Sequence, residues 1–338
     1  METAERTTIA QIAQLAGVSV PTVSKVLNGR EGVSTGTRDT ILALLDEHGY
    51  RRRGGSKRKS VGLIDLVIRD LSSQWANELV RGAEAEAARA GAGLVVTATN
   101  GRRLGNRHWL QHIAARRTDG IVLVVSELQP GAEDELRRLN TPFVLVDPAG
   151  TGDPTLPTVA ATNWSGGVAA TEHLLGLGHR RIGIITGPED VACARDRLDG
   201  YRSALQRAGV AIDESLARFG DFHVDGGRVG AESLLSLPQP PTAIFAGCDE
   251  QAYGVYEAAR QRGMTVPDDL SVVGFDDVAL CTWVQPHLTT VRQPLYEMAR
   301  EATRLVLDLG RADRTGVPRI ELATSLVVRG STAPFPPL

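Results

Sequence analysis

Long apolar runs are missing from this chain. No stretch approaches the ~18 apolar residues that a membrane-spanning helix requires, so none is expected. The opening METAERTTIA has no apolar segment, and a signal peptide is not expected. Cysteine is scarce. Cys193, Cys248 and Cys281 stand singly, with neither metal-ligand spacing nor an even-numbered framework, which suits a reducing cytoplasm. Catalytic signatures are absent as well: there is no GxSxG elbow, HExxH or P-loop, and no GxGxxG after an apolar run. The adjacent acids Asp249-Glu250 and Asp276-Asp277 invite a glycosidase or metal reading, but chain neighbours seldom face one reaction centre. No enzyme, cofactor or metal site is expected.

What is present first is a charge asymmetry. A length of 338 residues predicts two or three domains, and 42% hydrophobic content suffices for sizeable cores. The net charge is −3, yet residues 1–59 hold ten Lys/Arg against six Asp/Glu, a balance of +4. The remainder therefore carries −7. A basic front on an acidic body points to a polyanion met by the front alone. The charge peaks at RRRGGSKRKS, residues 51–60, where six cations flank Gly54-Gly55-Ser56. Unpaired charges at this density cannot be buried, so the run lies in solvent or against something anionic.

Upstream, TTIAQIAQLAGVSVPTVSKVLNG spans residues 7–29. Ile9, Ile12, Ala13 and Ala16 recur at helical spacing behind an N-cap at Thr8. Gly17 permits a sharp turn, Val18 plugs the corner, and Ser19 caps a second helix that tolerates Pro21 in its first turn. Val23, Val26 and Leu27 then face the first helix, leaving Thr22, Ser24, Lys25 and Asn28 outward. A third helix is predicted from Ser34 to about His48, with Ile41, Leu42, Leu44 and Leu45 inward. This is a helix-turn-helix in a minimal bundle, with one helix free for the major groove.

The pattern I-A-x-x-A-G-V-S-x-x-T-V-S-x-V-L-N-G, then V-S-x-x-T-R, resembles the lac/gal repressor family of bacterial transcription regulators. It is carried by Ile12-Ala13, Ala16 to Ser19, Thr22 to Ser24, Val26 to Gly29, Val33-Ser34 and Thr37-Arg38. The resemblance implies that Val20, Pro21 and Lys25 face base edges, while Ser19, Thr22, Ser24 and Asn28 touch phosphates. Thr8 joins this DNA-facing set. Lys25 has the reach for guanine O6 and N7, whereas Val20 and Pro21 offer apolar contact only. The family's connector folds into a helix on DNA and wedges a leucine into the minor groove. This sequence departs from that: ten residues separate Tyr50 from Val61, none is leucine, and two adjacent glycines disfavour a helix. Arg51, Arg52 and Arg53 are instead expected to neutralise phosphates or enter a narrow minor groove.

From Val61 the pattern changes to short apolar runs, VGLIDLV (61–67), GLVVTA (93–98), DGIVLVV (119–125), PFVLV (142–146), RIGII (181–185), TAIFA (242–246) and SVVGF (271–275). Amphipathic stretches separate them, among them 75–90, 131–139, 165–177, 196–208 and 249–263. Such alternation signals parallel sheets covered on both faces. Some ten strands are too many for one sheet. The expected fold is a small all-α helix-turn-helix head plus an α/β body of two Rossmann-like lobes, and the resemblance likens that body to periplasmic sugar-binding proteins. HLLGLGHRRIGIITGP (173–188), DDLSVVGFDD (268–277), LTTVRQP (288–294) and TSLVVRGST (324–332) are close to the family's wording. The expected layout is a DNA-binding domain at 1–50, a basic linker at 51–60 and an effector-binding, dimerising body at 61–338. Lobe 1 takes about 61–160 and 291–320, lobe 2 about 161–288 and 321–330.

Ligands in such bodies bind between lobes, beyond the carboxyl ends of strands. Arg197, Asp249, Asp276 and Gln293 are placed there by their positions after strands and crossover. A guanidinium fork and carboxylates suit a polyol, each holding two neighbouring hydroxyls. By resemblance Arg197, Asp276 and Gln293 match effector-binding positions, Phe222 matches an aromatic that stacks on the ligand, and Trp75 lines the same cleft. Cys248 stands where the family commonly has asparagine, and a thiol hydrogen-bonds weakly. Three alternatives stay open: Asp276 and Asp277 as caps, Arg197 in an ion pair with Asp199 or Glu189, Trp75 and Phe222 as core. A single reading helix covers few base pairs, so a homodimer on a pseudo-palindromic operator is expected. A small carbohydrate-type effector would switch a cytoplasmic bacterial repressor. Control by a partner protein or a non-sugar ligand is the alternative; a solute-binding protein or sugar-active enzyme is remoter.

Overall fold

The computed structural model describes residues 8–27, 32–48, 61–99, 113, 115–124, 136–138, 141–148, 155–311 and 317–335. The chain forms two compact units, residues 1–59 and 60–338.

The first unit packs α1 (Ile9–Leu15), α2 (Val20–Leu27) and α3 (Thr35–Glu47). Its start is set by a capping box: Thr8 Oγ1 accepts the Gln11 N–H at 3.3 Å, and Gln11 Oε1 accepts the Thr8 N–H at 2.6 Å. Gly17 turns the chain at φ +63°, a conformation that costs glycine nothing sterically. The Val18 N–H closes on the Ala13 carbonyl at 3.0 Å, and Ser19 Oγ then accepts the Thr22 N–H at 3.4 Å as α2 begins. Ile12, Ala13, Val23, Val26, Ile41 and Leu45 make the core, with Ile9, Ala16, Val18 and Leu44 packed against it. Leu42 was expected inward and is 49% exposed. Ile41, Leu44 and Leu45 form the i, i+3, i+4 stripe, and Leu42 sits about 100° round the helix from Ile41. Asn28 and the connector 51–60, with Arg51, Arg52 and Arg53, lie outside the described residues.

The second unit holds two six-stranded sheets. The first contains β1 (Leu63–Ile68), β2 (Gly93–Ala98), β3 (Gly120–Val124), β4 (Phe143–Val146), β5 (Thr158–Ala161) and β11 (Arg319–Leu322), in the order β11-β5-β4-β3-β1-β2. All its pairings are parallel. The second contains β6 (Ile182–Thr186), β7 (Ala217–Phe219), β8 (Ala243–Ala246), β9 (Ser271–Asp276), β10 (Thr289–Arg292) and β12 (Ser325–Val327), in the order β12-β10-β9-β8-β6-β7. Here only β12 runs antiparallel, on β10. The central strands are buried on both faces, which is why they read as unbroken apolar runs rather than alternating ones.

Helices α4 (Gln74–Arg89) and α10 (Leu295–Arg311) cover the first sheet. The second is covered by α5 (Asn163–Gly176), α6 (Ala192–Arg207), α7 (Val224–Leu235) and α8 (Asp249–Gln261), with a short α9 (Leu280–Trp283). The chain passes between the lobes after β5, after β10 and after β11. One helix crossing positions the site. A Cβ on Gly167 of α5 would lie 2.4 Å from the Arg197 carbonyl oxygen, and one on Gly200 of α6 would lie 2.3 Å from that of Trp164. Only bare glycine backbone lets α5 and α6 meet this closely, and the contact seats Arg197 directly against α5.

Candidate functional site

On the head, Val20, Pro21 and Lys25 are exposed along α2, with Ser19 exposed ahead of it and Thr22 and Ser24 half-buried. Buried Val23 and Val26 occupy the opposite face. The helix thus offers one cationic and two apolar side chains outward, backed by hydroxyls. Thr8, also exposed, uses its hydroxyl and amide in the capping box.

The second candidate site centres on Arg197, only 3% exposed. Its Nε donates to Asn163 Oδ1 at 2.9 Å, Nη1 to the Gly247 carbonyl at 2.5 Å and Nη2 to Gln293 Oε1 at 3.2 Å. The guanidinium lies 3.7 Å from the Phe275 ring centroid and 5.8 Å from that of Phe222, close enough for the ring faces to stabilise its charge. Neither Asp199 nor Glu189 is its partner; Asp199 pairs with Arg202 at 3.5 Å. Among the described residues three of its five N–H groups are thereby used, which leaves two for a ligand.

Two carboxylates face this guanidinium from different lobes. Asp276 ends β9, is 6% exposed, and has Oδ1 3.9 Å from Arg197 Nη2, too far for a hydrogen bond. That Oδ1 is buried and has no hydrogen-bond partner among the described residues. Burial raises the Asp276 carboxyl well above the usual carboxylate range, against the pull of Arg197. Asp147 follows β4 of the first lobe and accepts from Asn163 Nδ2 at 3.0 Å. Its carboxyl too is raised by burial, opposed by Arg197 and by the Asn163 amide. Asn163 therefore relays Arg197 to Asp147, its oxygen to the arginine and its nitrogen to the carboxylate.

Backbone strain concentrates here. Among the described residues five non-glycines have positive φ, and four of them, Asp147, Phe222, Asp276 and Asp277, border the site. Asp276 is held at φ +116° by its chain neighbour: Asp277 receives Arg292 Nε at 2.7 Å and Arg329 Nη2 at 2.6 Å. Such strain persists only where its surroundings over-determine it. Phe222 stands over Gly187, where a Cβ would come within 2.0 Å of its ring. Asp277 is thus a brace rather than a cap.

The other sequence-predicted residues are placed differently. Gln293 belongs to the cluster, its N–H bonded to the Asp276 carbonyl at 3.3 Å. Asp249 is fully buried and spent within its own lobe: it accepts from Thr290 Oγ1 at 2.5 Å, the Val278 N–H at 2.9 Å and Cys281 Sγ at 3.0 Å. Burial still pushes its carboxyl up to about 6. Cys248 caps α8, accepting the Gln251 N–H at 3.4 Å and donating to the Phe222 carbonyl at 3.1 Å, so its thiol is committed as well. Trp75 packs half-buried against the first lobe's core. Beside it, Gln74 spans the lobes: its N–H donates to Glu250 Oε1 at 3.2 Å, and its Oε1 accepts the Leu280 N–H at 2.8 Å. Asp147, Asn163 and Gln74 were not foreseen. Asp147 follows PFVLV directly, and the strand-end rule applied to the first lobe would have found it.

The family of bacterial regulatory proteins called lacI matches residues 8–53, and the periplasmic binding protein-like domain matches residues 171–332. Over 332 residues the chain is 34% identical to the HTH-type transcriptional repressor CytR of Escherichia coli (strain K12), covering 97% of each. The solved complex of the transcriptional regulator CelR with cellobiose aligns with a TM-score of 0.75 at 31% identity, over 96% of this chain and 100% of that one. The lac repressor dimer bound to operator and the anti-inducer ONPF aligns with a TM-score of 0.72 at 26% identity, over 97% and 100%.

Proposed function

The chain belongs to the lacI family of bacterial regulatory proteins, and from that membership we propose a transcriptional repressor whose operator affinity is set by a small carbohydrate in the interlobe cleft. The observation that carries the cleft half of this reading is the buried Asp276 Oδ1 without a hydrogen-bond partner, facing an Arg197 that retains two N–H groups. An acceptor and a double donor side by side are what two adjacent sugar hydroxyls complement, since each hydroxyl both gives and receives. Phe222 supplies an apolar face beside them.

The DNA half rests on α2. Lys25 reads a guanine edge, Val20 and Pro21 press on base methyl groups, and Ser19, Thr22, Ser24 and Asn28 bind phosphates, with Thr8 at the edge. Residues 51–60 act as a connector whose arginines, Arg51 to Arg53, add phosphate contacts. Two copies bind a pseudo-palindrome as a homodimer, in the bacterial cytoplasm, with no catalytic step.

Coupling follows from where the cleft groups are anchored. Arg197 is tied through Asn163 to Asp147 of the other lobe, and Gln74 ties the first lobe to α8 and α9. A ligand that inserts between Asp276 and Arg197 favours one lobe arrangement over another, and only that difference in affinity can shift DNA binding. The test is fluorescence anisotropy of the full chain on duplexes selected from random sequence, with sugars chosen by thermal shift. Salt-sensitive operator binding that changes with a bound sugar is expected; absence of DNA binding at near-physiological salt contradicts the proposal.

A further inference from the structure

We infer that Asp119 fixes the point at which the connector enters the body, and so sets how strictly the protein demands one spacing between operator half-sites. The inference rests on the repressor reading above and goes beyond it by naming a specificity-determining residue outside both the reading helix and the cleft.

The observation is a carboxylate that spends both oxygens on backbone. Asp119 Oδ1 accepts the Val61 N–H at 3.0 Å, and Oδ2 accepts the Gly62 N–H at 2.7 Å. The Asp119 N–H in turn donates to the Leu63 carbonyl at 2.8 Å. Regular pairing between β1 and β3 starts only at Ile64 and Gly120. The side chain therefore carries the hydrogen bonding back beyond the start of β1, towards residues 51–60 in the chain. From β2, on the other flank of β1, the Gly93 N–H donates to the Gly62 carbonyl at 2.7 Å.

Burial does not hold this segment. Val61 is 49% exposed, and Gly62 has no side chain to bury. Two charge-assisted bonds to one carboxylate, each roughly twice as strong as a neutral one, hold it instead. Asp119 stands immediately before β3, whose residues are all buried and which lies between β4 and β1. The entry of the connector is thus tied to the core of the first lobe.

The consequence is one of reach. Ten residues separate Tyr50 from Val61. Without the Asp119 carboxylate the first fixed residue of the body becomes Leu63, and each copy of a homodimer gains two residues, up to about 7 Å of chain. One base pair separates half-sites by about 3.4 Å more. The clamp therefore decides whether a change of one base pair in spacing can be absorbed.

Two measurements on the full chain test this. Hydrogen exchange reads the clamp itself: Asp119→Ala should speed exchange of the Val61 and Gly62 amides by about tenfold or more. Anisotropy then compares the selected operator with the same duplex carrying one base pair more or one fewer between half-sites. The wild type should lose about 30-fold or more in affinity on either altered duplex, and Asp119→Ala less than about 5-fold. A residue needed only for folding would lower the melting temperature of the body and leave that ratio where it was. If Asp119→Ala does not fold, the near-isosteric Asp119→Asn, which keeps one acceptor, should give a penalty between these two. Unchanged exchange, a variant as strict as the wild type, or a wild type indifferent to spacing overturns the inference and leaves the repressor reading standing. A wild type that binds no DNA removes both.

Discussion

The head and the cleft satisfy their polar groups in opposite ways. In the head, bonds close over three or four residues: Thr8 with Gln11, Ser19 with Thr22, Ser34 Oγ with the Thr37 N–H. Around Arg197 they span the chain, 34 residues to Asn163, 50 to Gly247 and 96 to Gln293. The local arrangement is complete without a partner, and its function lies in what it leaves outward. The long-range arrangement is incomplete, and its function lies in the missing bond at Asp276 Oδ1. A satisfied scaffold presents side chains, whereas an unsatisfied one waits for a ligand.

The contrast can be broken most forcefully at Arg197. Arg197→Ala strands the two aspartates and the Gly247 carbonyl, and should cost the body about 3–5 kcal/mol in denaturant unfolding. The head should keep its helices, as followed by hydrogen exchange of α1 and α3. Next in size is Lys25→Ala, which should weaken operator binding by about 1–3 kcal/mol and relax preference at one base pair in a binding-site selection. Sugar binding by the body should be indifferent to it. An unchanged sequence preference would remove Lys25 from the base-reading set.

Acid should also separate the two regions. His179, whose ring nitrogens lie 2.8 Å from Thr242 Oγ1 and 3.2 Å from the Ala333 carbonyl oxygen, and His173, 2.9 Å from Thr332 Oγ1, hold the C-terminal segment onto the second lobe. Burial lowers both histidines below the ordinary value, so the folded body favours their neutral form. Their contribution is therefore fully present above about pH 6.5 and is lost as pH falls towards the depressed values. The head's one described histidine, His48, is exposed. Burial raises Asp249, Asp276 and Asp147 in the same body, and these carboxyls act in the opposite sense over this range. The histidine share is therefore read as the melting difference between the wild type and His179→Asn, which should shrink as pH falls from about 7 to 5, with the head changing little. The smallest effect is expected at the first cap. Thr8→Ala should cost the head about 1 kcal/mol, measured by thermal melting, with the body unaffected.

The same contrast explains what was legible in the sequence. The head could be read almost residue by residue because helical spacing alone assigns its faces, and Leu42 went astray only by standing next to a true core position. The seven apolar runs of the body all contain strands of the two sheets. Strands β5, β7 and β11 are as short as β4 and β8 but carry weakly apolar or charge-interrupted sequences, TVAA, ARF and RIEL, which do not stand out from loops. In the cleft, position after a strand suggested Asp249 and Asp276 equally, yet one is saturated by Thr290, Val278 and Cys281 and the other is orphaned. That difference depends on neighbours 29 to 41 residues away in the chain, which no local pattern encodes. Asn163 left no signal at all: an asparagine after a short strand becomes a relay only once α5 and α6 cross at Gly167 and Gly200.

The most direct measurement is operator affinity of the full chain, with and without a saturating sugar, in the wild type and in Asp276→Asn. The account predicts that the sugar shifts wild-type affinity by about tenfold or more, a coupling of about 1.4 kcal/mol, and that the shift falls below about twofold in the variant. A variant that responds to the sugar as fully as the wild type would contradict the claim that the unpaired cleft carboxylate is where the signal enters.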